Sequence, residues 1–507
     1  MFASVYGMAV SGIQAHLIRV EVDVSNGLPG FDVVGLPTTA VRESRERVRS
    51  AIKNSGFTFP LQRITVNLAP ADIKKDGSGL DLPIAMGILA ATGQCPTEKL
   101  ESMVFVGELS LEGNLRPVPG VLAMAVALTQ KTCSTLIVPP ENFLEANLIK
   151  EIKTGTAVNL AELAGNIDSE SLFSPPKTSL TSLLQEGYEE IPDISTIQGQ
   201  QQAKRALEIA AAGNHNLLLV GPPGSGKTML AKAYRGILPP LTRSESLEVT
   251  KIYSVAGLLG HNGKLIQNRP FRQPHHSATV VGIIGGGRDL KPGELILANH
   301  GVLFLDELPE FSREVLEALR QPLEDREITL TRQRGSVKYP ARLSLVASMN
   351  PCPCGLYNEK GQQCSCTPRQ IQEYRKRISG PLLDRFDLHI DVPRLSYNEL
   401  TQETKQENSA RVRERVIKAR KIQWQRLGEG RTNAEMNGKE TKEYAKLTSS
   451  GEKLLARVFE QRQLSGRAYD RILKVSRTIA DLAESESILP EHLAEALQYR
   501  VLDKEII

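Results

Sequence analysis

Eight consecutive residues from Gly221 to Thr228, GPPGSGKT, have the types and spacing needed to bind phosphate groups. They fit the pattern G-x-x-x-x-G-K-[ST], between the apolar run NLLLV, which predicts a buried strand, and a segment that predicts a helix. Glycines let the main chain curl so that its N–H groups surround phosphates at the helix N-terminus. We expect Lys227 to reach the β- and γ-phosphates and Thr228 to hold Mg²⁺. The predicted ATP-binding residues are Gly221, Pro222, Pro223, Gly224, Ser225, Gly226, Lys227 and Thr228.

Two further apolar runs end in polar residues that suit hydrolysis of a bound nucleotide. Asp306 and Glu307 follow GVLFL, and Asn350 follows the strand-like LSLVASM. We expect Asp306 to coordinate Mg²⁺ through its water shell and Glu307 to polarise the attacking water. Asn350 can hydrogen-bond that water and the γ-phosphate. Because ligands of parallel sheets bind where strands end, the sequence predicts one site at the carboxyl edge of an α/β sheet.

Four of the six cysteines lie in one short segment after Asn350, as Cys352, Cys354, Cys364 and Cys366. Four thiolates match the ligand number of a tetrahedral structural Zn²⁺ site, although C-x-C spacing is tighter than the usual C-x₂-C. Free thiols or redox pairs are the alternative. We predict a structural zinc that holds this loop beside the nucleotide site.

Composition predicts several domains in a chain of 507 residues. The chain is 40% apolar and 24% charged, as globular proteins are, and a net charge of +4 gives no bulk attraction to nucleic acid. No apolar run is long enough to span a membrane, and the N-terminus lacks the pattern of a signal peptide. Clustered cysteines suit a reducing compartment. We therefore predict a cytoplasmic protein without membrane contact.

Strand and helix patterns divide the sequence into four parts. Short apolar runs alternate with helical patterns over residues 1–168, which predicts an α+β domain, and the proline- and serine-containing residues 169–193 predict a linker. An ATPase domain is predicted over 194–395, with a cysteine-cluster insert at 350–368. Helical patterns dominate the last predicted domain, 396–507.

The longer motifs around these residues resemble one family. The strings that carry the resemblance are RPFRQPHHSAT, GGGRDLKPGELILANHGVLFLDELPEF, MNPCPCG, GPLLDRFDLHIDVP, the N-terminal VEVDVSNGLPGFDVVGLP and the C-terminal LSGRAYDRILKVSRTIADL. They are similar to those of magnesium-chelatase-like AAA+ ATPases, and more narrowly of the bacterial ComM/YifB family. The resemblance covers nearly the whole chain. It implies an α/β fold with an AAA+ P-loop core and a helical lid, ATP and Mg²⁺ as cofactors, and a homo-hexamer with ATP between subunits.

The same resemblance implies roles for two arginines. Arg385, in LDRFD, corresponds to an arginine finger that reaches the γ-phosphate of a neighbouring subunit. A surface pair with Asp387 is the alternative reading of that arginine. Arg467, in SGRAYDR, corresponds to the second sensor arginine of the helical lid, and Arg471, four residues further on the same helical face, is its rival.

The first 165 residues or so resemble the Lon-type protease domain, a ribosomal S5 domain 2-like α+β fold. Lon proteases need a serine nucleophile and a lysine base. On the matching motifs these positions fall on Gly79 and Leu122, and Ser78 stands one residue early. We therefore expect a domain that is not proteolytic.

A β-hairpin is predicted over Glu327–Val346, where two runs of alternating residues flank a glycine. In related ring helicases such a hairpin points into the pore. Arg332, Arg334 and Lys338 at its tip, with Arg288 in a glycine-rich loop, are therefore candidate DNA contacts. A solvated turn is the alternative.

Two other polar segments allow more than one interpretation. The stretch Ala410–Arg426 has seven cations and one acid, which predicts a solvated helix or a contact with DNA or another subunit. His275 and His276 are adjacent; on a helix their side chains would diverge, and no acid has a ligand spacing to them. Packing near the nucleotide is therefore favoured over a metal site.

These features together predict an ATP-driven hexameric DNA motor with helicase activity. The family resemblance implies branch migration of recombination intermediates, on single-stranded or branched DNA, in natural transformation. The alternative is a magnesium-chelatase-like motor that acts on a protein or tetrapyrrole client.

Overall fold

In the computed structural model of the protein, the described residues are 1–36, 39–73, 75, 77–131, 133–176, 191–260, 263–287, 290–332, 335–357, 359, 363–397, 399, 406–462 and 464–500. They form two compact units, the first built on Met1–Tyr188, Arg243–Ile266 and Thr331–Lys338 and the second on Glu189–Thr242, Gln267–Leu330 and Tyr339–Ile507. None of the helices in these ranges is long and apolar enough to cross a membrane. The domain bounds given above stay predictions.

The first unit is built on a mixed β-sheet. Its strands are β1 (Phe2–Ser11), β2 (Gln14–Ser25), β3 (Gly30–Val34), β4 (Arg63–Ala69), β5 (Met103–Phe105), β6 (Glu108–Leu109), β7 (Leu115–Arg116), β8 (Thr135–Val138) and β9 (Lys153–Thr156). In the described part of the unit, one sheet has the order β3-β4-β2-β1-β5-β8-β9. Strand β2 runs antiparallel to β1 and β4, and the other neighbours are parallel. Strands β6 and β7 pair separately.

Helices cover both faces of this sheet. They are α1 (Thr39–Asn54), α2 (Asp81–Ala91), α3 (Val121–Leu128), α4 (Phe143–Ala146) and α5 (Leu160–Gly165). Since alternate side chains of a strand point to opposite faces, β1 contributes Val5 to the core with α1, α2 and α5, and Met8 to the core with α3 and α4. Helix α2 is buried along its whole length. Gly7 permits its close approach to β1, because a Cβ there would lie 2.8 Å from Pro83 Cγ.

The later strands include the parallel α/β core that the sequence predicts. They are β10 (Leu217–Val220), β11 (Phe271–Arg272), β12 (Gly285–Gly286), β13 (Lys291–Pro292), β14 (Val302–Leu305), β15 (Glu327–Arg332), β16 (Gly335–Pro340), β17 (Ser344–Met349) and β18 (Leu388–Asp391). Among described residues, the order β11-β14-β17-β10-β18 makes a sheet in which all neighbours are parallel. Its inner strands are buried on both faces, which explains why their sequences are largely apolar. Strands β15 and β16 confirm the predicted hairpin.

The predicted helical C-terminal part is also confirmed. The remaining helices are α6 (Gln201–Gly213), α7 (Lys227–Ile237), α8 (Arg243–Ala256), α9 (Val280–Ile284), α10 (Glu294–Leu297), α11 (Arg313–Ala318), α12 (Arg320–Asp325), α13 (Pro368–Arg375), α14 (Gly380–Leu383), α15 (Ser409–Leu427), α16 (Gly438–Tyr444), α17 (Ser449–Arg462), α18 (Gly466–Leu482) and α19 (Pro490–Gln498). Helix α8 packs in the first unit, where Gly120 N donates to Ser254 O at 3.0 Å.

The C-terminal helices pack against the amino edge of the parallel sheet. His215 stands two residues before the start of β10, and its Nε2 lies 2.8 Å from Thr478 Oγ1 of α18. Arg500 Nη1 donates to Phe386 O at 2.9 Å, two residues before β18 begins. These bonds attach the helical part to the side of the sheet opposite the ends of β10 and β18.

Helix α15, the basic segment of the sequence analysis, uses several of its cations inside the second unit. Arg420 Nη2 donates to Ala211 O at 2.7 Å, and Arg426 Nη2 pairs with Asp481 Oδ2 at 2.7 Å. Arg415 forms ion pairs with two glutamates at 2.5 and 2.6 Å. These three cations therefore make packing contacts of the helix, which corrects the solvated-face interpretation for the buried Arg420, while a contact of the segment with DNA or another subunit stays a prediction.

Candidate active site

The phosphate loop lies between β10 and α7, at the carboxyl edge of the parallel sheet. Gly224 and Gly226 have left-handed φ angles of 77° and 91°, which a residue with a β-carbon adopts at a cost. Ser225 Oγ is buried and has no hydrogen-bond partner among the described residues. The first N–H groups of α7 are available at the same place. The loop therefore fits the phosphates of a nucleotide, which would satisfy these donors.

Lys227 lies inside this loop with partners that a phosphate would displace. Its Nζ donates to the carbonyls of Gly221 at 2.7 Å and Pro222 at 2.9 Å, and to Asn350 Oδ1 at 3.3 Å. Burial lowers the pKa of Lys227, and two neighbouring carboxylates oppose that shift. Hydrogen bonds between ionised partners are stronger than those to neutral carbonyls, so the ammonium group of Lys227 would donate to a bound phosphate instead of to the carbonyls. Asn350, predicted from its place after a strand, is brought to the same point.

The two groups predicted to hold Mg²⁺ are in contact. Thr228 Oγ1 donates to Asp306 Oδ2 at 3.1 Å. Ser348 Oγ donates to the other carboxylate oxygen of Asp306 and accepts from Glu307 N at 3.3 Å. The hydroxyl and carboxylate oxygens fit Mg²⁺, which prefers oxygen ligands. Ser348 was not identified from the sequence, and its signal is a hydroxyl near the end of a mostly apolar strand.

Glu307 lies beside the histidine pair. Its backbone has a left-handed φ of 55°, and its side chain is 56% exposed. Oε2 of Glu307 lies 3.7 Å from Nδ1 of His276. The ring centroid of His276 lies 4.1 Å from that of His275 and 6.5 Å from that of Phe311. The histidines lie in a turn rather than a helix, so their rings lie together instead of diverging, and the nearby acid follows another strand, which local spacing does not show.

The four cysteines after β17 meet in space. The Sγ atoms of Cys352, Cys354 and Cys364 lie 3.4–3.7 Å apart, and all four thiols, with that of Cys366, lie within 4.8 Å of one another. A tetrahedral ion with Zn–S bonds of about 2.3 Å would place its sulfurs roughly 3.8 Å apart. The donor set and its size therefore fit a structural zinc.

The cysteine segment also contacts the phosphate loop. Gly355 has a φ of 80°, and a Cβ at this position would lie 2.5 Å from Cδ of Pro223. Gly355 N donates to Cys352 O at 3.0 Å, which closes the turn that carries the first two thiols. Cys354, one of the predicted metal ligands, therefore directly precedes a residue that packs against the phosphate loop.

Arg385 lies at the opposite, amino edge of the sheet. Asn216, next to the start of β10, donates through Nδ2 to Arg385 O at 2.9 Å. The Arg385 side chain is 7% exposed, donates to Pro381 O at 2.9 Å and pairs with Glu324. The alternative of a surface pair with Asp387 is therefore wrong. The four residues of β10, at about 3.3 Å each, put roughly 13 Å between this edge and the phosphate loop of the same chain.

Asp387 anchors the amino edge. It is buried, pairs with Arg471, accepts from Asn216 N at 3.0 Å and lies 3.4 Å from His215 Nδ1. Burial alone would raise the pKa of Asp387, but the Arg471 guanidinium and the nearby His215 imidazole hold it well below its ordinary value. Arg471 is thereby tied to a buried carboxylate and serves as a structural contact.

A cavity of about 480 Å³ opens at this amino edge. Arg467 lines it with a side chain that is 59% exposed and lies 3.9 Å from Asp384. Burial lowers the pKa of Lys474, another lining residue. The greater exposure of Arg467 favours it over its rival as the arginine that meets a ligand, although that role stays a prediction. The cations that line the cavity are Arg326, Arg385, Arg467, Arg471 and Lys474.

The predicted DNA contacts are described only in part. Lys338 is exposed on β16. Arg288 and Arg334 lie outside the described residues, and the side chain of Arg332 does too. Contact of these four cations with DNA stays a prediction.

The protease-like positions of the first unit hold other contacts. Leu122 is buried in the apolar core beneath α3. Ser78 Oγ donates to Glu108, and Lys75 Nζ donates to Pro70 O. The hydroxyl next to Gly79 is therefore paired with a carboxylate rather than with a lysine.

Three family models match the chain. "Magnesium chelatase, subunit ChlI" matches residues 193–400, "Subunit ChlI of Mg-chelatase" matches residues 20–142, and "Magnesium chelatase, subunit ChlI C-terminal" matches residues 406–500. The central match spans the phosphate loop, both acids, Asn350 and the cysteine cluster.

Individual relatives match over different lengths. Competence protein ComM of Haemophilus influenzae is 48% identical over 506 residues, which is 99% of this chain and 97% of that protein. The YifB protein of Escherichia coli is 44% identical over 510 residues, or 99% and 98% of the two chains. The magnesium-chelatase 67 kDa subunit of Heliobacterium mobile is 29% identical over 191 residues, or 32% and 28%. Similarity thus extends over the whole chain for the first two and over about a third for the last.

Proposed function

The chain belongs to the ComM/YifB family, with magnesium chelatase ChlI-like domains, and from this premise we propose that it is an ATP-driven DNA motor. The observation that carries the proposal is an assembled hydrolysis site in a chain that matches a competence protein from end to end. The motor would act as a homo-hexameric helicase on single-stranded or branched DNA. Its task would be branch migration of recombination intermediates during natural transformation.

In the proposed hydrolysis site, each of these side chains has its own role. Thr228 and Asp306 would hold Mg²⁺, whose positive charge would neutralise the negative charge that develops on the phosphates. Lys227 would exchange its carbonyl partners for the β- and γ-phosphates. Glu307 would polarise the attacking water, and Asn350 would hydrogen-bond that water and the γ-phosphate.

The position of two arginines supports a ring. Arg385 and Arg467 lie at the amino edge, about one strand length from the phosphate loop of their own chain. They could instead reach the phosphates of a nucleotide that an adjacent subunit holds. In a closed ring, both edges of every subunit face a neighbour. We assign Arg385 as the arginine finger and Arg467 as the second sensor arginine of such a shared site.

Each unit also receives a finer assignment. The parallel sheet with its C-terminal helices would be an AAA+ core and its lid. The first unit would be a Lon-protease-like, ribosomal S5 domain 2-like domain without protease activity, which the apolar surroundings of Leu122 and the paired Ser78 support. The β15–β16 hairpin, with Lys338 exposed, would contact the DNA phosphates.

The second candidate is a magnesium-chelatase-like motor that acts on a protein or tetrapyrrole client. The three ChlI family matches favour it. The chelatase relative, however, covers 32% of this chain, whereas the competence protein covers 99%. We therefore rank the DNA motor first.

Rates of ATP hydrolysis with and without single-stranded and forked DNA test the proposal. We expect DNA to stimulate the rate several-fold, with stimulation declining as salt rises because phosphate contacts release counterions. Glu307→Gln should bind ATP without hydrolysing it. Glu310→Gln is the matched control, because Glu310 lies three residues further on and pairs with Arg377 at 3.0 Å.

The outcomes separate the parts of the proposal. A DNA-independent rate, with no DNA binding at low salt, would overturn the DNA motor in favour of a protein or tetrapyrrole client. Hydrolysis that survives in Glu307→Gln would overturn the assignment of the water-polarising residue.

A further inference from the structure

The carboxylate of Glu307 has a neighbour that the hydrolysis described above does not use. Strands β11 and β14 run parallel, with Arg272 opposite Leu303. His276 lies four residues beyond Arg272, and Glu307 lies four residues beyond Leu303. The parallel register therefore carries both side chains to the same level past the carboxyl edge, where Nδ1 and Oε2 are 3.7 Å apart.

Several contacts hold the His276 ring in place. Phe311, which is 3% exposed, meets it edge-on, and the ring of His275 lies over it at 4.1 Å. The strand that leads to it is fixed by Arg272, whose Nε and Nη2 donate to the carboxylate of Glu294 at 2.5 and 2.7 Å. An imidazole that packs against two other rings, at the end of a fixed strand, can hold a mobile partner.

Glu307 is such a partner. Its backbone is fixed by a left-handed φ of 55° and by the bond from its N–H to Ser348. Its carboxylate is at the end of a flexible side chain that is 56% exposed. A group that polarises a water molecule must be held at one position, and otherwise it loses side-chain entropy at each turnover.

We propose that His276 is a positioning residue for ATP hydrolysis. Its imidazole holds the Glu307 carboxylate where the attacking water is polarised, and it acts through Glu307 rather than on the phosphates. The 3.7 Å approach is longer than a hydrogen bond, as catalytic contacts often are before the nucleotide binds. The inference rests on the proposed role of Glu307 as the water-polarising group.

Steady-state kinetics of the full-length protein test the inference. His276→Ala should lower kcat for ATP about 10- to 100-fold, because the carboxylate loses its fixed position. The KM and the Kd of a fluorescent ATP analogue should stay within about twofold, because the phosphate contacts are untouched. His276→Gln keeps an N–H donor and should recover a substantial part of kcat.

The matched control is His275→Ala. This adjacent histidine is exposed, and its Nδ1 lies 2.8 Å from Ser277 Oγ rather than near Glu307. Because His275 contacts the His276 ring but not Glu307, this variant should lose far less kcat than His276→Ala, and both variants should keep the melting temperature of the unaltered protein.

Three results would overturn the inference: an unaltered kcat in His276→Ala, an equal loss in His275→Ala, or a His276→Gln variant as slow as His276→Ala. Glu307→Gln tells this failure apart from failure of the proposed function. If Glu307→Gln is inactive while His276→Ala is fully active, only the positioning role fails. If Glu307→Gln still hydrolyses ATP, the role of Glu307 itself fails.

Discussion

The two edges of the parallel sheet in the second unit hold their charged groups in different ways. At the carboxyl edge, Lys227 donates to neutral carbonyls and to an amide, and Glu307 is more than half exposed. At the amino edge, Arg385 and Asp387 are almost fully buried, and each has a partner of opposite charge. Weak partners can be exchanged for a ligand, whereas a buried ion pair is costly to break. The carboxyl edge is therefore arranged for exchange, and at the amino edge the buried carboxylate of Asp387 serves attachment.

The exposure of each partner separates two kinds of arginine at the amino edge. Glu324, the partner of Arg385, is 61% exposed, so that pair can open at modest cost. Asp387, the partner of Arg471, is 8% exposed, and losing its partner would leave a charge in the interior. This difference favours Arg385 as an arginine that can turn to a nucleotide and Arg471 as a structural one.

Among the substitutions that test this difference between the two edges, Arg385→Ala should have the largest effect on ATP hydrolysis. We expect kcat to fall about 10³-fold, because a shared site would lose its arginine finger. The affinity for ATP should stay within about twofold, because Arg385 lies about a strand length from its own phosphate loop. Hydrolysis rates and titration of a fluorescent ATP analogue measure the two quantities. Arg431→Ala is the control, because Arg431 pairs with Glu440 at 2.7 Å in the helical part.

Mixed rings decide whether the two edges serve one site. Lys227→Ala should be inactive because it cannot hold ATP. If subunits of Lys227→Ala and Arg385→Ala assemble at random in equal amounts, about one shared site in four has both intact edges. Activity should then return to roughly that fraction of the unaltered rate. Mixtures as inactive as their components would mean that Arg385 acts within its own chain or only supports the fold.

The carboxyl edge could be predicted because its parts are local in sequence. The phosphate loop is eight consecutive residues, and Asp306 and Asn350 each follow an apolar run. Ser348 and His276 could not be assigned, because their contacts with the two acids depend on the register of neighbouring strands. That register becomes visible only when the strands are paired.

The amino edge escaped prediction for a related reason. The alternative reading of Arg385 paired it with Asp387, two residues away, but the ion-pair partner of Asp387 is Arg471, 84 residues further along the chain. Nothing in a local pattern identifies such a partner. The same limit applies to α8, because no local pattern shows that its Ser254 packs in the first unit. The parallel core and helical C-terminus were predictable because long apolar and helical periodicities are strong signals.

Asp387→Asn should destabilise the second unit by about 3–5 kcal/mol at neutral pH, because Arg471 would lose its buried partner. The folded pKa of Asp387 lies below its ordinary value of 3.8, so its stabilising contribution is present above that value and is lost as the pH falls through the lower folded pKa. The difference between the two proteins should therefore be steady from about pH 5 to 8 and shrink below about pH 4.

Urea unfolding followed by tryptophan fluorescence measures this difference in the right unit, because the single tryptophan, Trp424, lies in α15. Asp384→Asn is the matched control at the same edge. Its partner Arg467 is 59% exposed at 3.9 Å, so it should cost less than about 1 kcal/mol. An equal cost for both variants would contradict a special anchoring role for Asp387.

Removal of the cysteine cluster should have a smaller effect, confined to the carboxyl edge. Cys352→Ser with Cys354→Ser should lose about one bound zinc per chain and lower the melting temperature by about 5 °C, because the loop after β17 would lose its cross-link. ATP should also bind a few-fold more weakly, because the turn at Gly355 packs directly on Pro223 of the phosphate loop. Metal analysis, melting followed by Trp424 fluorescence and nucleotide titration measure these three changes.

Cys133→Ser is the control for this variant, since Cys133 is a buried cysteine of the first unit and should leave the metal content unchanged. In mixed rings, the cluster variant should still supply its Arg385 to the nucleotide site of a neighbouring subunit, because Asp387 and the C-terminal helices hold its amino edge in place. A variant with unchanged metal content and melting temperature would rule out the zinc site. A lower melting temperature with unchanged ATP affinity would mean that the zinc is a structural cross-link only. The contact between Gly355 and Pro223 would then have no effect on nucleotide binding.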